Sequence, residues 1–161
     1  MTFTQAFRPA LNKEGFSRLT FLGFAIKEGV KDGKEWKLFE LKFEVMGAVR
    51  GTTKEIGLST NFQYDTDNLL GKTLAGMGYE PPTLATVEDE EGFEVVAVDT
   101  DDEGFGVEDE VDLGIEDFLT EAVGNVYLAK VYKPTEGAKK GFWQIDVESL
   151  KLFKVKDGKN V

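Results

Sequence analysis

The sequence predicts a mostly-β protein folded as a single domain, and three observations carry that expectation. Residues 34–46 alternate: Phe39, Leu41, Phe43 and Val45 are apolar, while Glu40, Lys42 and Glu44 between them are charged. That period of two marks a strand with one buried and one wet face. Further short apolar-rich stretches follow along the chain, punctuated by glycine, proline, asparagine and aspartate, the spacing of strands and turns. Finally, 161 residues with 41% hydrophobic and 12% aromatic content are enough for one sizeable core.

Taken in order, residues 1–15 show no clear period and read as an arm. Phe3, Phe7 and Leu11 sit four apart, which makes one apolar stripe if the arm is helical. Residues 17–26 read as the first strand, and 28–33 as a turn in which Gly29 and Gly33 permit positive φ. Residues 34–46 form the second strand, 47–51 the next turn, and 54–63 a third strand with Ile56, Leu58 and Phe62 on one face. Asn68 is placed to cap a helix through Leu69, Leu70, Leu74 and Met77, which Gly78 closes and Pro81-Pro82 stops. A short strand at 93–98 and a second helix at 115–123 follow. The fourth and fifth strands, 125–133 and 142–152, form a hairpin around a basic, glycine-containing loop. Three strands, a helix, an insert and a closing hairpin give the plan of a five-stranded OB-like barrel with an interrupting helix. Residues 1–161 are then one domain, and 86–114 an acidic insert within it.

Charge is distributed unevenly. The net charge is −11, yet residues 88–117 hold fifteen of the thirty acidic residues and none of the nineteen Lys and Arg. The rest of the chain has nineteen basic residues against fifteen acidic ones, a net of +4. A mildly basic body thus carries one strongly acidic segment, a sign asymmetry that marks an interaction segment. The chain contains no cysteine and no histidine, which removes disulfides, thiolate and imidazole metal sites, and nucleophiles activated by histidine. Close carboxylate pairs abound in the insert, but none is set between apolar anchors that would raise a pKa. No enzymatic activity, cofactor or metal is expected. No apolar run approaches the roughly 18 residues of a membrane span, and residues 1–10 lack a signal pattern, so a cytoplasmic location is expected.

Two features point to single-stranded nucleic acid. On the wet face of the second strand, Lys34, Trp36, Leu38, Glu40 and Lys42 lie together, joining a ring that bases can stack on to ammonium groups that meet phosphates. Lysines also gather at two hairpin loops: Lys27, Lys31 and Lys34 around the first, Lys133, Lys139 and Lys140 around the last, just before Phe142-Trp143. In an OB barrel these loops border one cleft. The candidate contacts are therefore Lys31, Lys34, Trp36, Lys42, Lys133, Lys139, Lys140 and Trp143.

These residues resemble the phage-encoded OB-fold single-stranded-DNA-binding proteins. The likeness is carried by Leu19-Thr20-Phe21-Leu22-Gly23, the segment from Gly33 to Val45, Asn68-Leu69-Leu70-Gly71-Lys72 and Phe142-Trp143-Gln144-Ile145. It spans about residues 17–80 and 118–153 and implies non-enzymatic binding of single-stranded DNA in replication or recombination. Such proteins often carry acidic residues in a C-terminal tail that recruits partners. Here the tail from Lys154 is basic and the acid lies inside the chain. The expected partners are single-stranded DNA, a basic protein docked on the insert, and a further copy of the chain, with no membrane involved.

Two alternatives stay open. The insert can act as an acidic protein-interaction module that mimics nucleic acid. Residues 99–110 also follow most of the twelve-residue EF-hand calcium loop, with acids at positions one, three, five and twelve and glycine at six. Glu103 and Gly106 depart from that pattern, and a strand rather than a helix is expected before it.

Overall fold

A computed structural model describes residues 6–82, 86–96 and 113–156. Its elements are β1 (Ser17–Lys31), β2 (Lys34–Met46), β3 (Thr53–Asn61), α1 (Leu69–Gly76), β4 (Thr86–Glu88), β5 (Glu94–Val96), α2 (Ile115–Ala122), β6 (Val126–Tyr132) and β7 (Gln144–Lys154). The fold is mostly β. Five strands form one antiparallel sheet in the order β3-β2-β1-β6-β7, and β4 with β5 makes a separate hairpin. The sheet is open among the described residues. The edge strands β3 and β7 approach each other with α1 packed on both, but no hydrogen-bonded register joins them.

β1 is the spine of the sheet. It pairs with β2 along nearly its whole length, but with β6 only over Ser17 to Thr20. The ladder shifts between Phe21 and Gly23, so Leu22 is an extra residue on the β1 side. Such a bulge bends a strand and flips its side-chain parity. Leu19 and Phe21 point into the core before it, and Phe24 packs against the core after it. On β2 the expected stripe is fully inside: Leu41, Phe43 and Val45 are wholly buried and Phe39 nearly so. Ile56, Leu58 and Thr60 line the inner face of β3. α1 and α2 cap this core with Leu70, Leu74, Leu119 and Ala122.

Local chemistry explains the ends of α1. Asn68 accepts from the Gly71 amide at 2.8 Å and donates to the Gln63 carbonyl at 2.8 Å, satisfying an orphan N–H of the first turn. Gly78, at φ +96°, follows the helix in a conformation that favours glycine.

Several boundaries differ from the sequence expectation. β1 runs to Lys31 instead of ending at residue 26, because cross-strand pairing with β2 holds the glycine-containing segment extended. The turn shrinks to Asp32-Gly33, both at positive φ, as the type I′ form of a two-residue hairpin requires. β3 ends at Asn61, which leaves Phe62 39% exposed instead of in the core. The Phe142-Trp143 pair precedes β7, just after a loop closed by Gly141 N–H to the Pro134 carbonyl, and Phe142 N–H donates to the Lys139 carbonyl. Residues 6–15 are not helical. They run beside the end of β2, with Ala10 N–H donating to the Met46 carbonyl and Ala48 N–H to that of Arg8. Within the insert, 86–96 form a hairpin whose turn Asp89 closes by accepting from Glu91 and Phe93. The calcium-loop candidate at 99–110 lies outside the described residues. No helix among the described residues is long and apolar enough to cross a membrane.

Candidate nucleic-acid interface

β3 pairs with β2 only from Leu38 onward, and β6 leaves β1 after Thr20. The β1–β2 hairpin beyond these points projects as a two-stranded ribbon. Its outward residues follow from the register: Lys27 opposite Leu38, Gly29 opposite Trp36, Lys31 opposite Lys34. The indole of Trp36 lies over Gly29, since a Cβ built there would stand 2.7 Å from the ring. Glycine is thus what lets the ring lie down on the neighbouring strand. The residue remains 41% exposed, so the ring is supported on the backbone while part of it meets solvent.

The charges on this face are not all available. Lys27 donates to Glu40 at 2.9 Å, and Lys42 lies 3.8 Å from Glu40 and 3.5 Å from Glu55. The hydrogen bond from Lys27, with the nearby positive charge of Lys42 adding to it, holds the Glu40 carboxyl below its ordinary value. Lys42 is therefore on the expected face but already engaged with carboxylates. Lys31 and Lys34, at the ribbon tip, are exposed and form no ion pair among the described residues. Lys37 lies on the other face of β2 and sits 4.2 Å over the Phe62 ring.

The second group of expected contacts lies elsewhere. β6 runs antiparallel to β1 and leaves it beside Ser17, so the loop after Tyr132 stands at the opposite end of β1 from Lys31. Lys133, Lys139 and Lys140 are exposed on that loop. Trp143 is half-buried, edge-on to Phe7 at 6.4 Å, with the Lys133 ammonium 5.6 Å from its ring. The structure brings Lys31, Lys34, Trp36 and Lys42 onto one face, and Lys133, Lys139, Lys140 and Trp143 into one loop. It holds the two groups at the two ends of one strand.

Sequence reasoning missed the role of Glu40. Its pairing with Lys27 depends on the β1–β2 register, which alternation alone does not give. Among the described residues no group of three or more carboxylates converges as a metal site. No family model matches the chain, and no curated protein or solved structure is significantly similar to it.

Proposed function

We propose that the chain is a non-enzymatic single-stranded-DNA-binding protein of the phage OB type, acting in replication or recombination. The observation that carries this reading is Trp36 lying over Gly29 on a projecting ribbon, next to Lys31 and Lys34, which form no ion pair among the described residues. A supported, partly exposed ring offers stacking to any base, and the neighbouring ammonium groups meet the backbone phosphates. The strand order, with α1 between β3 and β6, supports an OB-like plan. Pairing of β3 with β7 would complete the barrel. Lys133, Lys139 and Lys140 extend the contact at the far end of β1, and the acidic insert docks a basic protein partner.

Titration of fluorescent oligo-dT at two salt concentrations tests this reading. The expected result is micromolar or tighter binding that weakens steeply with salt, since each phosphate neutralised on a single strand contributes a slope of about 0.7. Absence of binding at low salt overturns it.

A further inference from the structure

The sheet carries a second aromatic and cationic surface, on the outer side of β1, β6 and β7. Ser17, Leu19 and Ala129 point into the core, so their neighbours Arg18 and Lys130 point outward. In register, Arg18 lies opposite Leu128, and Leu128 opposite Lys151. Phe16, just before β1, has the Lys151 ammonium 4.5 Å and the Lys130 ammonium 5.6 Å from its ring centre. Two ammonium groups therefore converge on one aromatic ring.

As at the tip of the ribbon, the cations of this surface are unpaired. Arg18, Lys130 and Lys151 form no ion pair among the described residues. Asp146 is the register partner of Lys130 and keeps its charge, but it forms no ion pair with that lysine among the described residues; its carboxylate accepts from the Glu148 amide at 3.2 Å. The ring attracts each cation, but it does not cancel the repulsion between them. An anion seated across Lys130 and Lys151 would do so. Two more exposed rings continue the surface: Tyr132 on β6, 51% exposed, and Phe153 on β7, 37% exposed.

We infer that this surface is a second contact site for the same single strand, which passes from the Trp36 ribbon to the Phe16 face. The inference rests on the proposed single-stranded-DNA function and adds an extended path to it. Rings interleaved with cations that no ion pair engages suit alternating bases and phosphodiesters. A carboxylate-rich peptide, such as the chain's own residues 88–110, would use the cations and leave the rings idle.

The test compares oligo-dT of about five and about sixteen nucleotides, within the range one OB fold spans. Both are titrated against the full chain and against a variant with Arg18→Gln, Lys130→Gln and Lys151→Gln, three exposed positions. For the unmodified chain the long oligonucleotide is expected to bind at least about tenfold more tightly, and the variant to lose that advantage, its long-oligonucleotide salt slope falling by about 2. A second variant, Lys151→Glu alone, is expected to shift the long-to-short ratio in the same direction. If the unmodified chain prefers the long strand and both variants keep the same ratio, the second site is overturned while the DNA-binding reading stands. If the variants bind the long strand more tightly, the surface holds the acidic segment instead of DNA, which also overturns it. If neither oligonucleotide binds the unmodified chain, the reading and the inference fall together.

Discussion

The two faces of β2 are built from one alternating segment, yet they answer to different rules. Inward, Phe39, Leu41, Phe43 and Val45 meet side chains from β1, β3 and β6, and the Phe43 ring stands 5.2 Å from Phe21 and 6.1 Å from Tyr127. There, identity is set by volume, because a close-packed interior leaves little slack. Outward, Lys34, Trp36, Leu38, Glu40 and Lys42 meet whatever the register of β1 and β3 places beside them. Glu40 and Glu55 engage Lys42, Glu40 also engages Lys27, and Gly29 receives Trp36. A count of lysines therefore overstates the charge this face can offer a phosphate. The available charge lies at its tip, on Lys31 and Lys34.

The sharpest way to separate the faces is a pair of substitutions of different kinds. Phe43→Ala is expected to cost about 3–5 kcal/mol of folding stability, the usual loss for a large buried aromatic, read by denaturant unfolding. Gly29→Val leaves the core untouched but puts a Cβ into the space of the indole, 2.7 Å from the ring. It is expected to weaken oligo-dT binding by about 1–3 kcal/mol, the contribution of one stacked base. If Gly29→Val leaves affinity intact, the support of Trp36 by Gly29 has no part in binding.

A further step contrasts the outward face with the distant loop. Lys139→Ala with Lys140→Ala is expected to flatten the salt dependence of binding, by about 0.7 for each phosphate deprived of its lysine. Folding stability should stay the same, since both side chains are exposed. An unchanged slope would confine DNA to the ribbon end of β1.

The smallest effect is expected at Glu40. Glu40→Gln weakens its hold on Lys27 and Lys42, so oligo-dT binding should tighten several-fold at low salt, with the gain vanishing at high salt as screening sets in. The same carboxyl is held below its ordinary value of 4.5. Its ion pairs therefore add stability above that value, and the contribution is lost as pH falls through the lowered one. Glu40→Gln should remove this part of the acid sensitivity, seen as a smaller drop in melting temperature between about pH 6 and about pH 3. The contribution is modest because Lys27 and Lys42 are largely exposed.

The inner face of β2 was legible in the sequence, because burial of alternate residues leaves a period of two in the chain. The cap of α1 was legible as well, since Asn68 has a local task. The length of β1 was not. Lys27-Glu28-Gly29-Val30-Lys31 has the composition of a turn, and only pairing with residues 34–38 holds it extended. The bulge at Leu22 has one local sign, Gly23 at φ +145° inside the strand, but that glycine does not say which side chains of β1 face inward. For the candidate site, Trp36 was placed outward by parity alone. Its glycine seat and the neutralised lysines around Glu40 needed the register. The Phe16 surface went unseen because it joins β1, near one end of the chain, to β6 and β7, near the other.

Trp36→Ala tests the proposed stacking role of this ring most directly, with oligo-dT affinity measured at two salt concentrations beside the melting temperature. The expected result is a loss of about 1–3 kcal/mol in binding, an unchanged salt slope and an unchanged melting temperature. Intact affinity together with a melting temperature lowered by several degrees would contradict it, and would make the indole a structural prop of the ribbon.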